Sequence, residues 1–335
     1  MRAIEIARPG GPDVLRMIEM PRPAPDAGEV VIRVFAAGVN RPDIQQRRGL
    51  YPPPPDASPL PGLEVAGRIE SVGTGVAHLR AGDSVCALVN GGGYAQFCCV
   101  PAVQCMPVPR GLSFIEAASL PESFFTAWNN IIRLGRLAPG ETLLIQGGTS
   151  GVGLAGIQIA RHLRDATVLA TAGTAQKRQV CREMGAHHAI DYGADWPVAV
   201  RTATSGEGVD VVLDAQAGDY TQKHLDLLRP DGRLVLIASH LGETAQVNVR
   251  ALVRRRLTLT GSTLRPQPAA WKGQLAAELV AQVWPLIADG RIVTRIHAVF
   301  PWHEVRAAHA MLDANEQIGK VVLMVDPEEA EQVPC

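Results

Sequence analysis

Two rhythms of hydrophobic and polar positions divide this chain. In its first third, apolar residues come in short alternating or β-branched runs broken by Gly and Pro. Residues 1–8, 14–20, 30–37, 62–72 and 84–88 read as strands, most clearly VVIRVFAA at 30–37. Pro9-Gly10-Gly11-Pro12 turns the chain, and Gly91-Gly92-Gly93 leads into a further strand, YAQFCCV. Many short strands with such turns predict an antiparallel, barrel-like half. Between strands, 38–55 reads as a polar helix-like turn that ends in Pro52–Pro55, with Tyr51 at the head of an extended polyproline run. A helix is expected to start at Ser113, capped with Glu116 three residues on, and another to cover 123–134.

The second rhythm starts after Pro139-Gly140. Strand candidates at 142–145, 167–171, 188–190, 209–215, 233–238 and 257–261 alternate with helical stretches, the pattern of a doubly wound parallel sheet. An amphipathic helix at 271–289, a strand at 296–300, a helix at 302–314 and a last strand at 320–325 follow. The charged tail 326–335 is expected to fray.

One stretch concentrates chemistry: TLLIQGGTSGVGLAGIQIARHL, residues 142–163. An apolar run meets Gly147, Gly148, Gly151 and Gly153, then a helical face of Val152, Ala155, Ile159 and Leu163. Glycines permit a sharp turn and close approach, and a helix N-terminus offers free N–H groups to a pyrophosphate. The GxGxxG spacing falls on Gly148, Ser150 and Gly153, with Ser150 in the middle position. The same stretch also fits a tight turn in an ordinary α/β domain. At the end of the second strand, where an NAD site places an acid, stands Thr171-Ala172-Gly173-Thr174, followed by Lys177 and Arg178. No acid repels a 2′-phosphate there and a cation can attract it, which argues for NADP(H). Lys177 as a plain solvated helix cation is the competing reading.

The 335 residues are 47% hydrophobic and 19% charged, enough for two packed domains or one large one. The net charge of -1 supplies no basic field, so neither nucleic acid nor an anionic membrane is expected as partner. The 4% aromatic content disfavours stacking platforms for single strands. Six cysteines without CxxC spacing suggest free thiols in a reducing compartment, and adjacent Cys98 and Cys99 would face opposite ways on a strand. The first residues lack an apolar signal core, and no apolar run approaches the roughly 18 residues of a membrane span, so a soluble cytoplasmic protein is expected.

Taken in order, NRPDIQQRRGLYPPPP, PGLEVAGRIESVGTGV, GDSVCALVNGGGYAQF, LPESFFTAW, QGGTSGVGLAGIQIA, TAGTAQKR, TGSTLR and NEQIGKVVL resemble a known family. They are similar to the quinone oxidoreductase branch of the medium-chain dehydrogenase/reductase superfamily, most of all to its p53-inducible NADPH:quinone oxidoreductase group. The resemblance implies a discontinuous GroES-like β-barrel catalytic domain (1–123 and 265–335) around a Rossmann NADP-binding domain (124–264), with the active site in the cleft. Zinc alcohol dehydrogenases of the superfamily carry Cys after the GV turn and a Gly-His-Glu segment. Those positions here are Asn40 and Leu63, the four-cysteine lobe is missing and the histidines are scattered, so no metal is expected. Glu64 then reads as a structural carboxylate near the cleft.

By the same resemblance, Asn40 and Tyr51 line the nicotinamide side as the catalytic pair. The Asn amide would hold a carbonyl or ribose hydroxyl, and the Tyr hydroxyl would donate to a developing oxyanion. Asn40 could instead only satisfy a turn, and Tyr51 only pack on the prolines. Thr126, Gly148, Ser150, Gly151, Val152, Gly173, Lys177 and Tyr192 would follow the cofactor, with Lys177 and Tyr192 on the 2′-phosphate. Ser239, Leu241, Leu264 and Arg265 are implied near the nicotinamide half; Arg265 reads equally as a surface cation. Lys320 matches a family position near the cleft and reads equally as the start of the last strand. The edge strand 257–261 would pair across a two-fold axis in a homodimer. The implied activity is zinc-independent, NADPH-dependent reduction of quinones, which need no Lewis acid because they are already electrophilic. An enone or enoyl-thioester reductase, or a non-catalytic, crystallin-like NADPH-binding protein, are the alternatives.

Overall fold

The computed structural model describes residues 1–334. The chain forms two compact units, 1–125 with 265–335, and 126–264. The first begins with β1 (Arg2–Ile6) and β2 (Leu15–Glu19), an antiparallel pair. Next comes β3 (Glu29–Val39), whose β-branched residues are buried along most of its length. It is followed by α1 (Arg41–Arg47), β4 (Glu64–Val72), β5 (Ser84–Leu88), β6 (Phe97–Pro101) and β7 (Cys105–Pro107). On β6, Cys98 is buried and Cys99 half-buried, as alternation requires. The short helix α2 (Phe114–Ala117) is closed by the expected box: Glu116 N–H donates to Ser113 Oγ at 3.3 Å and Ser113 N–H to Glu116 Oε2 at 2.8 Å.

The expected helix at 123–134 differs in detail. It starts earlier as α3 (Pro121–Ala127), because Pro fits a first turn that needs no N–H, and then widens into a π-helical segment, Trp128–Leu134. There Gly135 N–H donates to the Asn130 carbonyl five residues back, at 2.9 Å.

The second unit alternates strictly: β8 (Thr142–Ile145), α4 (Gly151–Arg164), β9 (Thr167–Thr171), α5 (Ala175–Glu183), β10 (His188–Ile190), α6 (Trp196–Ala203), β11 (Val209–Asp214), α7 (Tyr220–Leu227), β12 (Leu228–Leu236), α8 (Val249–Arg255) and β13 (Thr258–Gly261). All six strands are parallel, in the order β10-β9-β8-β11-β12-β13. Strand β12 begins five residues before the expected 233 and carries a register shift against β11. Leu144, Leu169, Val212 and Leu234 form the centre of this unit's own core.

After residue 264 the chain returns to the first unit with α9 (Ala269–Gln282) and α10 (Trp284–Ala288). The expected single helix is split because Pro285 has no N–H for the ladder. Then come β14 (Ile296–Pro301), α11 (Val305–Asp313), β15 (Lys320–Met324) and α12 (Pro327–Ala330). The returning strands complete a seven-stranded sheet, β14-β15-β3-β4-β5-β7, with β6 also on β3. The tail through residue 334 does not fray as expected, Cys335 lying outside the described residues. Asp326 pairs with Arg33 at 2.8 Å, Glu329 with Arg68 at 3.3 Å, and Ala330 is buried. No helix among the described residues is long and apolar enough to cross a membrane.

Candidate active site

In the second unit the functional edge follows from parallel pairing. All strand C-termini lie on one side, so the segments after β8, β9, β10, β11 and β12 gather along one rim. The strand order reverses between β8 and β11, where such a sheet opens a crevice. The structure thus brings the 147–150 turn, Gly173, Tyr192, Ser239 and Leu241 to a common edge.

The glycines of that turn have separate reasons. Gly147 adopts a φ of 84°. A Cβ on Gly148 would lie 2.7 Å from the Ala170 Cβ and 2.8 Å from the Cys181 Sγ. One on Gly153 would lie 2.6 Å from the Gly147 carbonyl oxygen. Ser150 caps α4: its Oγ accepts from Gly153 N–H and donates to the Gly147 carbonyl, both at 2.9 Å. Its own N–H also turns back to Gly147 O. Both Ser150 donors, its hydroxyl and its N–H, are therefore engaged within the turn, and among the described residues the amides left without a protein acceptor at the start of α4 are those of Gly151 and Val152. These two N–H groups, the positive end of a 14-residue helix and the crowded glycines fit a dinucleotide pyrophosphate.

At the second strand, Thr171 Oγ1 and carbonyl accept from Gly147 and Gly148 N–H at 3.0 and 2.8 Å, tying the two turns together. Tyr192 lies on Gly173, where a Cβ would come within 2.5 Å of its hydroxyl. Lys177 is half-buried, and burial lowers its pKa. Arg178 pairs at 2.6 Å with Asp191, which follows β10 and also accepts from Gly193 N–H. Asp191 is thereby already paired. Thr126 is half-buried and its carbonyl accepts from Asn130. Ser239 and Leu241 are exposed in the loop after β12, anchored through His240 and Leu241 N–H to the carbonyls of Ala215 and Gln216. Leu264, half-buried, closes the unit.

In the first unit, neighbouring strands assemble a polar cluster. Asn40 directly follows β3, Glu64 starts β4 and Lys320 starts β15, and β3 lies between the other two in antiparallel register. Three ends of adjacent strands therefore meet. Lys320 Nζ donates to Asn40 Oδ1 and to Glu64 Oε1, each at 2.5 Å. Asn40 Nδ2 donates to the same Glu64 oxygen at 2.8 Å, and Glu122 N–H donates to Glu64 Oε2 at 2.8 Å. Gly38 is required beneath them, because a Cβ there would sit 2.0 Å from Glu64 Oε1. The Asn40 amide does more than close a turn: it is oriented by a cation on its oxygen and an anion on its nitrogen.

Beneath Asn40 lies a second buried acid. Asp43 accepts from Asn40 N–H (2.8 Å), Gly62 N–H (3.0 Å) and the Tyr94 hydroxyl (3.4 Å). Burial raises its pKa to about 6 against these hydrogen bonds. The Tyr94 oxygen lies 3.2 Å from His309 Nε2, and Arg47 Nη1 lies 3.3 Å from His309 Nδ1. With Tyr94 donating to Asp43 and Arg47 only able to donate, His309 carries its proton on Nε2 and is neutral. Its pKa is pushed down to about 3, first by burial and then by Arg47.

Arg265 is no surface cation. It is 5% exposed in the first unit, its Nε and Nη2 donate to the Asn90 carbonyl at 2.9 and 2.6 Å, and its guanidinium lies 5.4 Å from the centre of the Tyr51 ring. Tyr51 is half-buried under this cation. Sequence reasoning assigned no role to Asp43, Glu122 or Lys272, which the fold gathers around Asn40 and Arg265. The capping position of Asp43, three residues after Asn40, was the one available signal.

The alcohol dehydrogenase GroES-like domain model matches residues 26–110, and the zinc-binding dehydrogenase model matches 151–281. The chain is 33% identical to the rat synaptic vesicle membrane protein VAT-1 homolog over 98% of this chain and 85% of that one. It is 32% identical to rat quinone oxidoreductase over 97% and 98%. Among solved structures, mycobacterial Rv1454c complexed with NADPH superposes with a TM-score of 0.86 at 32% identity, over 97% of this chain and all of that one. JamJ enoyl reductase does so with a TM-score of 0.85 at 27% identity, over 96% and 98%. A parallel sheet with a glycine-turn rim and a GroES-like unit with a polar cluster together define a nicotinamide-dependent oxidoreductase of a small molecule. The chain belongs to the medium-chain dehydrogenase/reductase superfamily.

Proposed function

We propose that this oxidoreductase reduces quinones with NADPH and without zinc, as a member of the p53-inducible NADPH:quinone oxidoreductase group. The observation that carries the reading is the occupancy of the Glu64 carboxylate. Lys320, Asn40 and the Glu122 N–H use both its oxygens, and the positions of the missing zinc ligands hold Asn40 and Leu63. Among the described residues no group of three or more His, Cys, Asp or Glu is placed to hold a metal ion. That donor set does not fit zinc, and it suits an acceptor that needs no Lewis acid.

NADPH, when bound, supplies the hydride. The Gly151 and Val152 amides hold the pyrophosphate. Lys177 and Tyr192 hold the 2′-phosphate, a choice supported by the pairing of Asp191 with Arg178. Thr126, Gly148, Ser150, Gly173, Ser239, Leu241 and Leu264 shape the cofactor's path, and Arg265 supports Tyr51. Asn40 and Tyr51 are the catalytic pair: the fixed Asn40 amide and the Tyr51 hydroxyl orient the acceptor carbonyl and stabilise the oxyanion that develops on it. Strand β13 at the sheet edge pairs with a second copy, and sedimentation should report a dimer.

The likeness to JamJ enoyl reductase supports a second reading, reduction of enones or enoyl thioesters. Steady-state NADPH oxidation with ortho- and para-quinones, enones and acyl thioesters decides between them. The highest kcat/KM is expected on quinones; no turnover on any quinone would end the first reading.

A further inference from the structure

Three carboxyl groups meet in the first unit, and they are not equivalent. Asp43 and Glu64 are fully buried, and each of their oxygens accepts at least one hydrogen bond. Glu122, in the first turn of α3, is fixed beside Glu64 by its backbone N–H. Its own carboxyl makes no hydrogen bond or ion pair with any other described residue, and the side chain is partly exposed. Of the three, Glu122 alone has no protein hydrogen bond on its carboxyl among the described residues to give up before it engages another molecule.

We propose that Glu122 is the general acid that protonates the reduced acceptor. The proposal rests on the reading that hydride is delivered to a quinone or enone in this site. Hydride brings two electrons and one proton, so a quinone becomes a hydroquinone monoanion with an electron pair on oxygen. The Glu122 O–H bond breaks, an O–H bond forms on the acceptor, and a carboxylate remains. Solvent returns the proton, for a net consumption of quinone, NADPH and one H⁺ to give hydroquinone and NADP⁺. Tyr51 and Asn40 hold the oxygen while this happens.

The surroundings keep this acid charged with its proton. Burial, then Glu64 of β4 and, more weakly, Asp43 of α1 raise the Glu122 pKa to about 8, while Lys320 of β15 and Lys272 of α9 act against them. Lys272 is itself buried, donates to Asn90 Oδ1 (2.5 Å) and the Arg265 carbonyl (2.7 Å), and is pushed down to about 8. A group with a pKa near the working pH is both protonated and able to release the proton.

The test is Glu122→Gln, which keeps the backbone bond to Glu64. Wild-type turnover on quinones and enones is measured first; if neither is reduced, the functional reading fails and the donor role with it. With an active wild type, kcat should fall about 100-fold in E122Q, while NADPH Kd and quinone KM stay within about twofold. Wild-type kcat should also decline as pH rises through about 8, and E122Q should lose that limb. An unchanged kcat, or a limb that persists in E122Q, overturns the proposal and leaves quinone reduction standing. Should loss of NADPH binding reveal misfolding, Glu122→Asp decides. A reduced kcat with the limb retained supports the role, and an unchanged kcat despite the shorter reach overturns it.

Discussion

The two units build recognition from opposite materials. The second uses backbone: glycines too crowded for a side chain, and amide donors left open at the start of α4. The first uses side chains that satisfy one another, with Lys320, Asn40, Glu64, Asp43, Tyr94, His309 and Arg47 in one buried network. An open backbone site is ready for an anion whatever its neighbours, and adding atoms damages it. A closed side-chain network is damaged by removing atoms, because each loss strands a buried partner.

The largest effect should come from removing a charge in the first unit. Lys320→Met leaves the fully buried Glu64 carboxylate without its cation, and breaking such a pair costs about 3–5 kcal/mol. Chemical denaturation should show this loss, and Glu64→Gln added to Lys320→Met should restore most of it. If the double variant is no better than the single, the network is not a coupled unit.

Adding an atom in the second unit comes next. The methyl of Gly153→Ala would meet the Gly147 and Gly148 carbonyls at 2.6 and 2.7 Å, backbone that cannot rotate aside. Overpacking of this kind costs about 1–3 kcal/mol, and NADPH affinity should drop with it. Calorimetry and cofactor titration would check both.

Lys177→Ala removes a charge from the open rim rather than the closed network. A hydrogen bond to a charged group is worth about 1.5–3 kcal/mol, so NADPH binding should weaken at least roughly tenfold. NADH binding and the melting temperature should hardly move. Equal losses for both cofactors would remove Lys177 from the 2′-phosphate.

The smallest effects are those of pH on stability, and they belong to the first unit. His309 has its folded pKa lowered from 6.5 to about 3, so the unfolded chain binds more protons between those values. Its contribution is complete above about pH 6.5 and is lost as pH falls toward 3. Glu122 has its pKa raised from 4.5 to about 8, so its contribution is complete below pH 4.5 and is lost as pH rises through 8. Melting curves from pH 6 to 9 should therefore decline more steeply in wild type than in E122Q; parallel curves would place Glu122 in water.

Much of the second unit was legible in the sequence because its signals are local. The 142–163 stretch carries strand, turn and helix within one window, and alternation with helices defines a parallel sheet. The first unit was legible only as a set of strands. Glu64 lies 24 residues from Asn40, and Lys320 lies 280 away. Only the pairing of β15 and β4 on either side of β3 brings them together, and that pairing has no local signature. Glu122 escaped for the same reason, since its meaning depends on a carboxylate 58 residues earlier. The surface-cation alternative for Arg265 stays open in the sequence because nothing nearby in the chain foretells the Asn90 carbonyl. The tail 326–334 reads as a charged, fraying end until Arg33 and Arg68 are seen to hold it.

The proposed reaction carries hydride from NADPH to a quinone without a metal. Its most direct measurement is the rate of NADPH oxidation by protein stripped with a strong chelator, with a quinone in excess and NADH run in parallel. The rate should be unchanged by stripping and unaffected by added Zn²⁺, with NADPH preferred over NADH. Loss of activity on stripping, restored by Zn²⁺, would contradict it.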